Sequence, residues 1–161
     1  QHTNPDGVIG DTSIQKLIMN SLNDGACREL MRDEDGVEKC FDLISYFFGA
    51  VQETFPEAWH NHTAKTSRLI HGAGLISMGY VMELLFFRDQ AMTKEEFLEG
   101  IKPLKGRLAW TEGTWKFGED ETRPWNGIQN LHRDIQLLAS YLTRELKRIA
   151  NEKIVSLSEP D

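Results

Sequence analysis

The stretch 69-LIHGAGLISMGYVMELLFF-87 is almost entirely apolar, yet it contains His71, Glu83 and three glycines. Glycine inside a helix costs about 1 kcal/mol relative to alanine, so the three glycines need a structural reason such as the close approach of another segment. A membrane-spanning helix needs about 20 predominantly apolar residues and would place His71 and Glu83 in hydrocarbon at a high energetic cost. We therefore expect no membrane span, but a central helix that neighbouring helices surround in a water-soluble domain.

The whole chain, with 161 residues, has the length and composition of one globular domain. Its net charge of −7 excludes broad electrostatic adhesion to DNA or anionic lipid, although a local basic patch is compatible with it. Cys27 and Cys40 lie beside apolar residues, so we interpret them as buried thiols in a reducing cytoplasm. The chain begins with Gln1 and has no signal-peptide pattern, so we expect part of a longer protein, whose upstream region could carry an activity.

Helical periodicity recurs through most of the chain. A capping box at 12-TSIQ-15 is predicted to open a first helix that ends at about Asn23. A wide apolar stripe over 37–54 predicts a longer helix, which Pro56 terminates because proline disfavours helical geometry in the residue before it.

The middle of the chain contains two further predicted helices. After a connector over 57–63, Thr63 is predicted to cap the long helix that contains 69–87. A second capping box, 93-TKEE-96, begins a short helix over 94–101.

The last predicted helix is the most regular element. Its apolar residues keep near-heptad spacing: Ile128, Leu131, Ile135, Leu138, Leu142, Leu146 and Ile149. Such a narrow stripe packs on one neighbouring helix, and a homodimer through this C-terminal helix is an alternative. The tail over 154–161 is expected to fray.

Residues 103–127 interrupt the helical pattern. They contain Trp110, Trp115 and Trp125 among Gly, Thr and charged residues, which indicates an irregular loop or a short β-hairpin. Residues 1–11 are rich in turn-forming residues. The sequence therefore predicts a single all-α domain over 1–161, an irregular bundle of five or six helices with one Trp-rich excursion.

The histidines are the only group that suggests metal chemistry. His60 and His62 are two residues apart, and His71 follows on the next predicted helix. A His-based metal-dependent enzyme is therefore one alternative, but the common zinc motifs use a different spacing. Because the chain also has no Gly-x-Ser-x-Gly and no phosphate-binding loop, we predict no catalytic residue, no metal ligand and no cofactor. His60 and His62 are then surface residues, and His71 is a hydrogen-bonded core residue.

The segment 6-DGVIGDTS-13 looks like the Asp-Gly-x-x-Gly-x-x-Thr turn of peptidoglycan-binding modules, with Ser13 in place of threonine. Turn glycines also arise for backbone reasons alone. A cell-wall-binding module is therefore a second alternative.

Basic and aromatic residues cluster in and after the Trp-rich segment. Exposed tryptophans beside arginines can stack on nucleic-acid bases or contact a partner protein. The residues predicted to bind are Lys105, Arg107, Trp110, Trp115, Arg123, Trp125, Asn126, Asn130 and Arg133. The alternative is that the tryptophans attach an irregular loop to the helices.

Three stretches together carry a family resemblance: 46-YFFGAVQETFPEAWHN-61, 69-LIHGAGLISMGYVMELL-85 and 110-WTEGTWKFGEDETRPWNGIQNLHRDIQLLASYLTREL-146. In this order they resemble the C-terminal helical half of the DGQHR-domain family. That family includes the DndB-type proteins that accompany and regulate DNA phosphorothioation systems in bacteria. The resemblance spans about residues 37–146, and the Asp-Gly-Gln-His-Arg motif that names the family is absent.

The resemblance implies a cytoplasmic, non-catalytic binding or regulatory domain of a DNA-modification or DNA-defence protein, which acts through protein or DNA contacts. The matching positions are Trp59, His71, Gly72 and Gly74, which we expect to be structural, and Trp125, Asn126 and Asn130, which we expect to bind. We also expect Gly72 and Gly74 to let the helix over 37–54 approach His71 closely.

Overall fold

The computed structural model describes residues 11–158. Within this range the elements are α1 (Asp11–Asp24), α2 (Ala26–Leu30), α3 (Gly36–Thr54), α4 (Pro56–His60), α5 (Gly72–Asp89), α6 (Lys94–Ile101), β1 (Thr114–Lys116), β2 (Thr122–Pro124) and α7 (His132–Ser158). Single 3-10 turns occupy Lys102–Leu104 and Trp125–Gly127. The predicted all-α class with one short hairpin is confirmed, and two of the helices, α2 and α4, are single turns. Residues 1–10 of the predicted lead-in over 1–11 lie outside the described residues, and Asp11 is the first residue of α1.

Two of the sequence-predicted helices form a packed pair. α3 and α6 meet through Phe47 and Phe97, whose ring centroids are 5.2 Å apart in an edge-to-face arrangement. The predicted capping box of α6 is present, because Thr93 Oγ1 accepts from the Glu96 N–H and Glu96 Oε1 accepts from the Thr93 N–H. The capping box predicted at residues 12–15 does not begin α1. The helix begins at Asp11, so Thr12 already lies inside its first turn.

α5 is the central helix and packs against both α1 and α7. Its side chains over 73–79 are all buried, and Ser77 Oγ donates to the carbonyl of Ile135 in α7 at 3.3 Å. Trp59 is buried beside Phe48, with ring centroids 6.2 Å apart. Among the described residues, no helix combines the length and the apolar character needed to cross a bilayer.

The start of α5 differs from the prediction. Thr63 does not cap this helix, because residues 61–71 form a chain of turns and α5 begins at Gly72. The N-cap is His71, whose Nδ1 accepts from the Ala73 N–H at 3.2 Å. In the connector, the N–H of Arg68 donates to the carbonyl of Trp110 at 2.8 Å, a contact with the Trp-rich segment instead of a helical hydrogen bond.

The glycines of α5 allow close approach, but not by the predicted partner. A Cβ on Gly74 would lie 1.8 Å from the carbonyl oxygen of Arg68, so this glycine accommodates the preceding connector. A Cβ on Gly72 would lie 2.7 Å from both Asn130 Nδ2 and Ser13 Oγ. The prediction that the helix over 37–54 approaches here is therefore wrong, because that helix packs against α6 instead.

α7 begins later and ends later than the sequence predicted. Ile128 is buried but precedes the helix, and Leu131 is exposed. Most of the heptad stripe, including Leu138, Leu142 and Leu146, is buried within this chain. α7 packs on α5 and on the 3-10 turn at 102–104, and this packing accounts for the pattern that suggested a homodimer. α7 continues to Ser158, and the last three residues of the predicted frayed tail over 154–161 lie outside the described residues.

The two cysteines lie in the core as free thiols, on α2 and α3. Cys40 Sγ donates to the carbonyl oxygen of Cys27 at 3.5 Å. Burial, followed by the hydrogen bond to Cys27, raises the pKa of Cys40 to about 12. The thiol of Cys40 is therefore protonated at neutral pH.

Candidate binding surface

Two of the predicted contact residues, Trp110 and Trp115, belong to the core. They are 4% and 1% exposed, and their ring centroids are 5.3 Å apart. Trp115 also packs edge-to-face on Tyr141 of α7 at 6.0 Å. The prediction that these rings are exposed binding surfaces is wrong, because a bulky aromatic ring stabilises an irregular segment most when it is buried. The alternative, that the tryptophans attach this segment to the helices, holds for both.

Arg68 connects the Trp-rich segment to the rest of the domain, and the sequence analysis missed it. It is 8% exposed, and its guanidinium donates to the carbonyl oxygens of Ile128 at 2.8 Å, Asn126 at 2.9 Å and Ala64 at 3.2 Å. Its Cζ also lies 5.5 Å from the centroid of the Trp125 ring, in a cation–π arrangement. Burial lowers the pKa of Arg68 from its very high ordinary value. Arg68 thus positions the backbone of residues 126–128 and the ring of Trp125.

Arg123 and Asp134 form a second link, between β2 and the first turn of α7. Arg123 Nη1 lies 3.1 Å from Asp134 Oδ1, and Asp134 is 1% exposed. Asp134 Oδ2 also accepts from the Gln129 N–H at 2.9 Å. Burial alone would raise the pKa of Asp134, but the hydrogen bonds from Gln129 and Arg123 outweigh it and hold the pKa below its ordinary value. The guanidinium of Arg123, a predicted binding residue, is therefore largely engaged in an ion pair within the domain.

Asn130 and His71 lie at the start of α5. The Asn130 side chain approaches Gly72, and the ring of His71 is occupied at Nδ1 by the Ala73 N–H. Burial, and then the positive charge of Arg68, lower the pKa of His71. His71 is therefore a partly buried helix cap that is mainly neutral at pH 7, rather than a core residue.

The exposed groups that remain form a contiguous segment, which we call the 125–133 surface. Trp125 is partly buried, and Asn126, Gln129, Asn130, Leu131 and Arg133 are exposed. Arg133 is 79% exposed and Leu131 is 55% exposed. Side-chain amides, an aromatic edge, one apolar side chain and one guanidinium can make hydrogen bonds and apolar contacts, but they include no nucleophile.

The other two predicted cations, Lys105 and Arg107, are also exposed. Arg107 lies close enough to Tyr141 for its charge to act on the pKa of that phenol, which burial raises. Arg133, by contrast, lies in the first turn of α7.

The histidines do not converge on a metal site. Across residues 11–158, no group of three His, Cys, Asp or Glu side chains is arranged to hold a metal ion. His62 Nε2 lies 3.6 Å from Glu57 Oε1, and its Nδ1 is 3.1 Å from Thr66 Oγ1. His60 is exposed, and His71 caps α5. Most of the peptidoglycan-type motif at 6–13 lies outside the described residues.

Comparisons with protein-family models, with curated proteins and with solved structures found no significant match to this chain.

Proposed function

We propose that this chain is a binding domain without catalytic activity, which contacts a partner protein through the 125–133 surface. The proposal rests on two features of this surface. It exposes amide, apolar and guanidinium groups, and the buried Arg68 holds its backbone in place by hydrogen bonds. Protein interfaces are enriched in aromatic and Arg side chains at their energetic centres.

The support beneath this surface favours binding. Arg68 fixes the carbonyls of Asn126 and Ile128, and Asp134 fixes the backbone of Gln129. A surface whose backbone is already ordered loses less conformational entropy when it binds, so more of the contact energy appears as affinity.

A protein is favoured over DNA as the partner because of charge. The cations between residues 123 and 133 are Arg123 and Arg133, and both lie beside the Asp134 carboxylate, with Arg123 Nη1 at 3.1 Å and Arg133 Nε at 3.7 Å from Oδ1. DNA-binding surfaces need several cations that are free to neutralise phosphates, and the chain carries a net charge of −7. DNA remains the alternative partner, with Lys105 and Arg107 as additional phosphate contacts.

The resemblance to the DGQHR-domain family supplies the biological setting of the proposal. The chain would act in the cytoplasm as a binding or regulatory part of a bacterial DNA-modification or DNA-defence protein, and its partners would be other proteins of that system. The positions Trp125, Asn126 and Asn130, which carry part of that resemblance, lie on the 125–133 surface.

A site-specific photocrosslinker tests the proposal. Benzoylphenylalanine would replace Leu131 in one variant and Phe41, which is 72% exposed on α3, in a matched control. We expect a protein adduct in cells from position 131 and none from position 41. The captured protein, once purified, should bind the wild-type chain and lose affinity for the double variant Leu131→Asp, Arg133→Glu.

Two results would count against the proposal. One is equal affinity of the captured protein for the wild type and the double variant. The other is tight binding of a DNA duplex at physiological salt that weakens on Lys105→Glu and Arg107→Glu, which would transfer the function to DNA binding.

A further inference from the structure

A cleft of about 500 Å³ lies between the C-terminal half of α1 and the middle of α5, separate from the 125–133 surface. Glycines shape it at two points. A Cβ on Gly25 would lie 2.5 Å from Glu83 Oε2, and a Cβ on Gly79 would lie 3.3 Å from the Cβ of Leu17. The volume falls within the range of about 300–1,000 Å³ that is typical of small-molecule sites.

The partly buried carboxylate of Glu83 borders the cleft. Its Oε1 accepts from Ser21 Oγ at 2.6 Å, and its Oε2 accepts from the Ala26 N–H at 2.7 Å, so each oxygen retains a second lone pair. Burial raises the pKa of Glu83, the hydrogen bonds oppose this, and the negative charge of Asp24 raises it further. The charged neighbour that acts on Glu83 is thus another carboxylate, and both line the same cleft.

The rest of the lining is uncharged. Asn20 and Asn23 present amide groups, and no residue in the last turn of α1 is basic. Arg28, which is exposed on α2, donates to the carbonyl oxygen of Asn23 at 3.2 Å, but it does not line the cleft.

Two aromatic rings complete the cleft, those of Tyr80 and Phe87. Gln136 Nε2 donates to the hydroxyl oxygen of Tyr80 at 3.2 Å, which fixes this ring and leaves its own proton free to donate. Phe87 is 55% exposed at the rim. The faces of such rings attract organic cations.

We propose that this cleft binds a small organic cation of the guanidinium or alkylammonium class. The cationic head lies between the carboxylates of Asp24 and Glu83 and beside the rings of Tyr80 and Phe87, which the alkyl part also contacts. The cation comes either from a free small molecule or from an arginine side chain of another protein, because both present the same chemistry. The site does not depend on the proposed partner binding at residues 125–133.

Nuclear magnetic resonance of the ¹⁵N-labelled chain provides the test. The probes are agmatine, as a free cation, and N-acetyl-arginine amide, as a side-chain mimic, with N-acetyl-citrulline amide as the neutral isostere. We expect saturable shifts of the Gly25 and Gly79 amides with at least one cation, and none with the citrulline compound. Gly106 and Gly113, which lie in the loop after the 3-10 turn at 102–104, serve as internal controls.

Two substitutions localise the effect without removing the Glu83 contact to α2. Asp24→Asn is expected to weaken cation binding about fivefold, and Phe87→Ala is expected to weaken it by a similar factor. Tighter binding of agmatine would identify a free small cation as the ligand, whereas tighter binding of the arginine amide would identify a side chain. The proposal fails if Gly25 and Gly79 do not shift, if citrulline shifts them equally, or if both substitutions leave the affinity unchanged.

Discussion

Arg68 Nε donates to the carbonyl oxygen of Ile128 at 2.8 Å across 60 positions of the chain. Ile128 is fully buried, so without this donor its carbonyl would lie in the core without a hydrogen bond. The same guanidinium serves the carbonyls of Asn126 and Ala64. One side chain therefore satisfies polar backbone groups of two non-helical segments and joins them to each other.

Replacing Arg68 with leucine is expected to lower the free energy of unfolding by about 2–4 kcal/mol, because a buried carbonyl left without a partner costs about 1–3 kcal/mol. Arg68→Lys should recover only part of this loss, since one ammonium cannot reach all three carbonyls. Urea denaturation measures both. The control is Arg133→Leu, at a side chain that is 79% exposed, which should change stability by less than about 0.5 kcal/mol. Equal effects of Arg68→Leu and Arg133→Leu would contradict this role.

Gly74→Ala tests the close approach of the connector to α5. The new Cβ would lie 1.8 Å from the carbonyl oxygen of Arg68, so the backbone must shift and stability should fall by about 2–4 kcal/mol. The matched control is Gly118→Ala in the hairpin, where nothing lies within 4 Å of the added atom. Thermal unfolding of the two variants should separate them by several degrees, and an unchanged melting temperature for Gly74→Ala would refute the packing account.

The helices and their caps could be predicted because their determinants are local in sequence. The Thr93–Glu96 capping box and the apolar stripe of α3 each lie within a few turns, where spacing alone specifies the structure. The β-hairpin over 114–124 also has a local sequence signal, which was not part of the prediction. Trp115 and Phe117 alternate with polar residues, a period of two that indicates one buried face of a strand.

The contacts that position the candidate surface could not be predicted in this way. Arg68 acts on residues about 60 positions away, and nothing near Arg68 in the sequence distinguishes it from an exposed arginine. The close approach of another segment to Gly74 was predicted, but the wrong segment was named. Glycine spacing indicates that a backbone comes close and does not identify which backbone it is. Both contacts depend on the tertiary structure.

Asp134 is expected to make the free energy of unfolding depend on pH. Its pKa in the folded chain lies below the ordinary value, so the folded state binds fewer protons than the unfolded state at mildly acidic pH. The stabilisation is therefore complete above the ordinary carboxyl pKa, about 4, and is lost as pH falls through the folded value. Asp134→Asn should cost about 1–3 kcal/mol at pH 7, and the difference from wild type should shrink by pH 3. A difference that is constant from pH 7 to pH 3 would show that Asp134 is not stabilised as an anion.

The thiols of Cys27 and Cys40 are expected to resist modification in the folded chain. Cys27 is fully buried, and Cys40 is 8% exposed with its pKa raised to about 12, so almost no Cys40 thiolate is present at pH 8. Incubation with iodoacetamide followed by mass spectrometry should give unmodified protein, and the same incubation in urea should give two alkylated sites. Since the reagent reaches the thiols only after α2 and α3 separate, Arg68→Leu should accelerate alkylation by the factor by which it raises the unfolding equilibrium constant, about tenfold for each 1.4 kcal/mol of lost stability. Rapid alkylation of Cys40 in the wild type would instead mean that α2 opens locally while the rest of the domain stays folded.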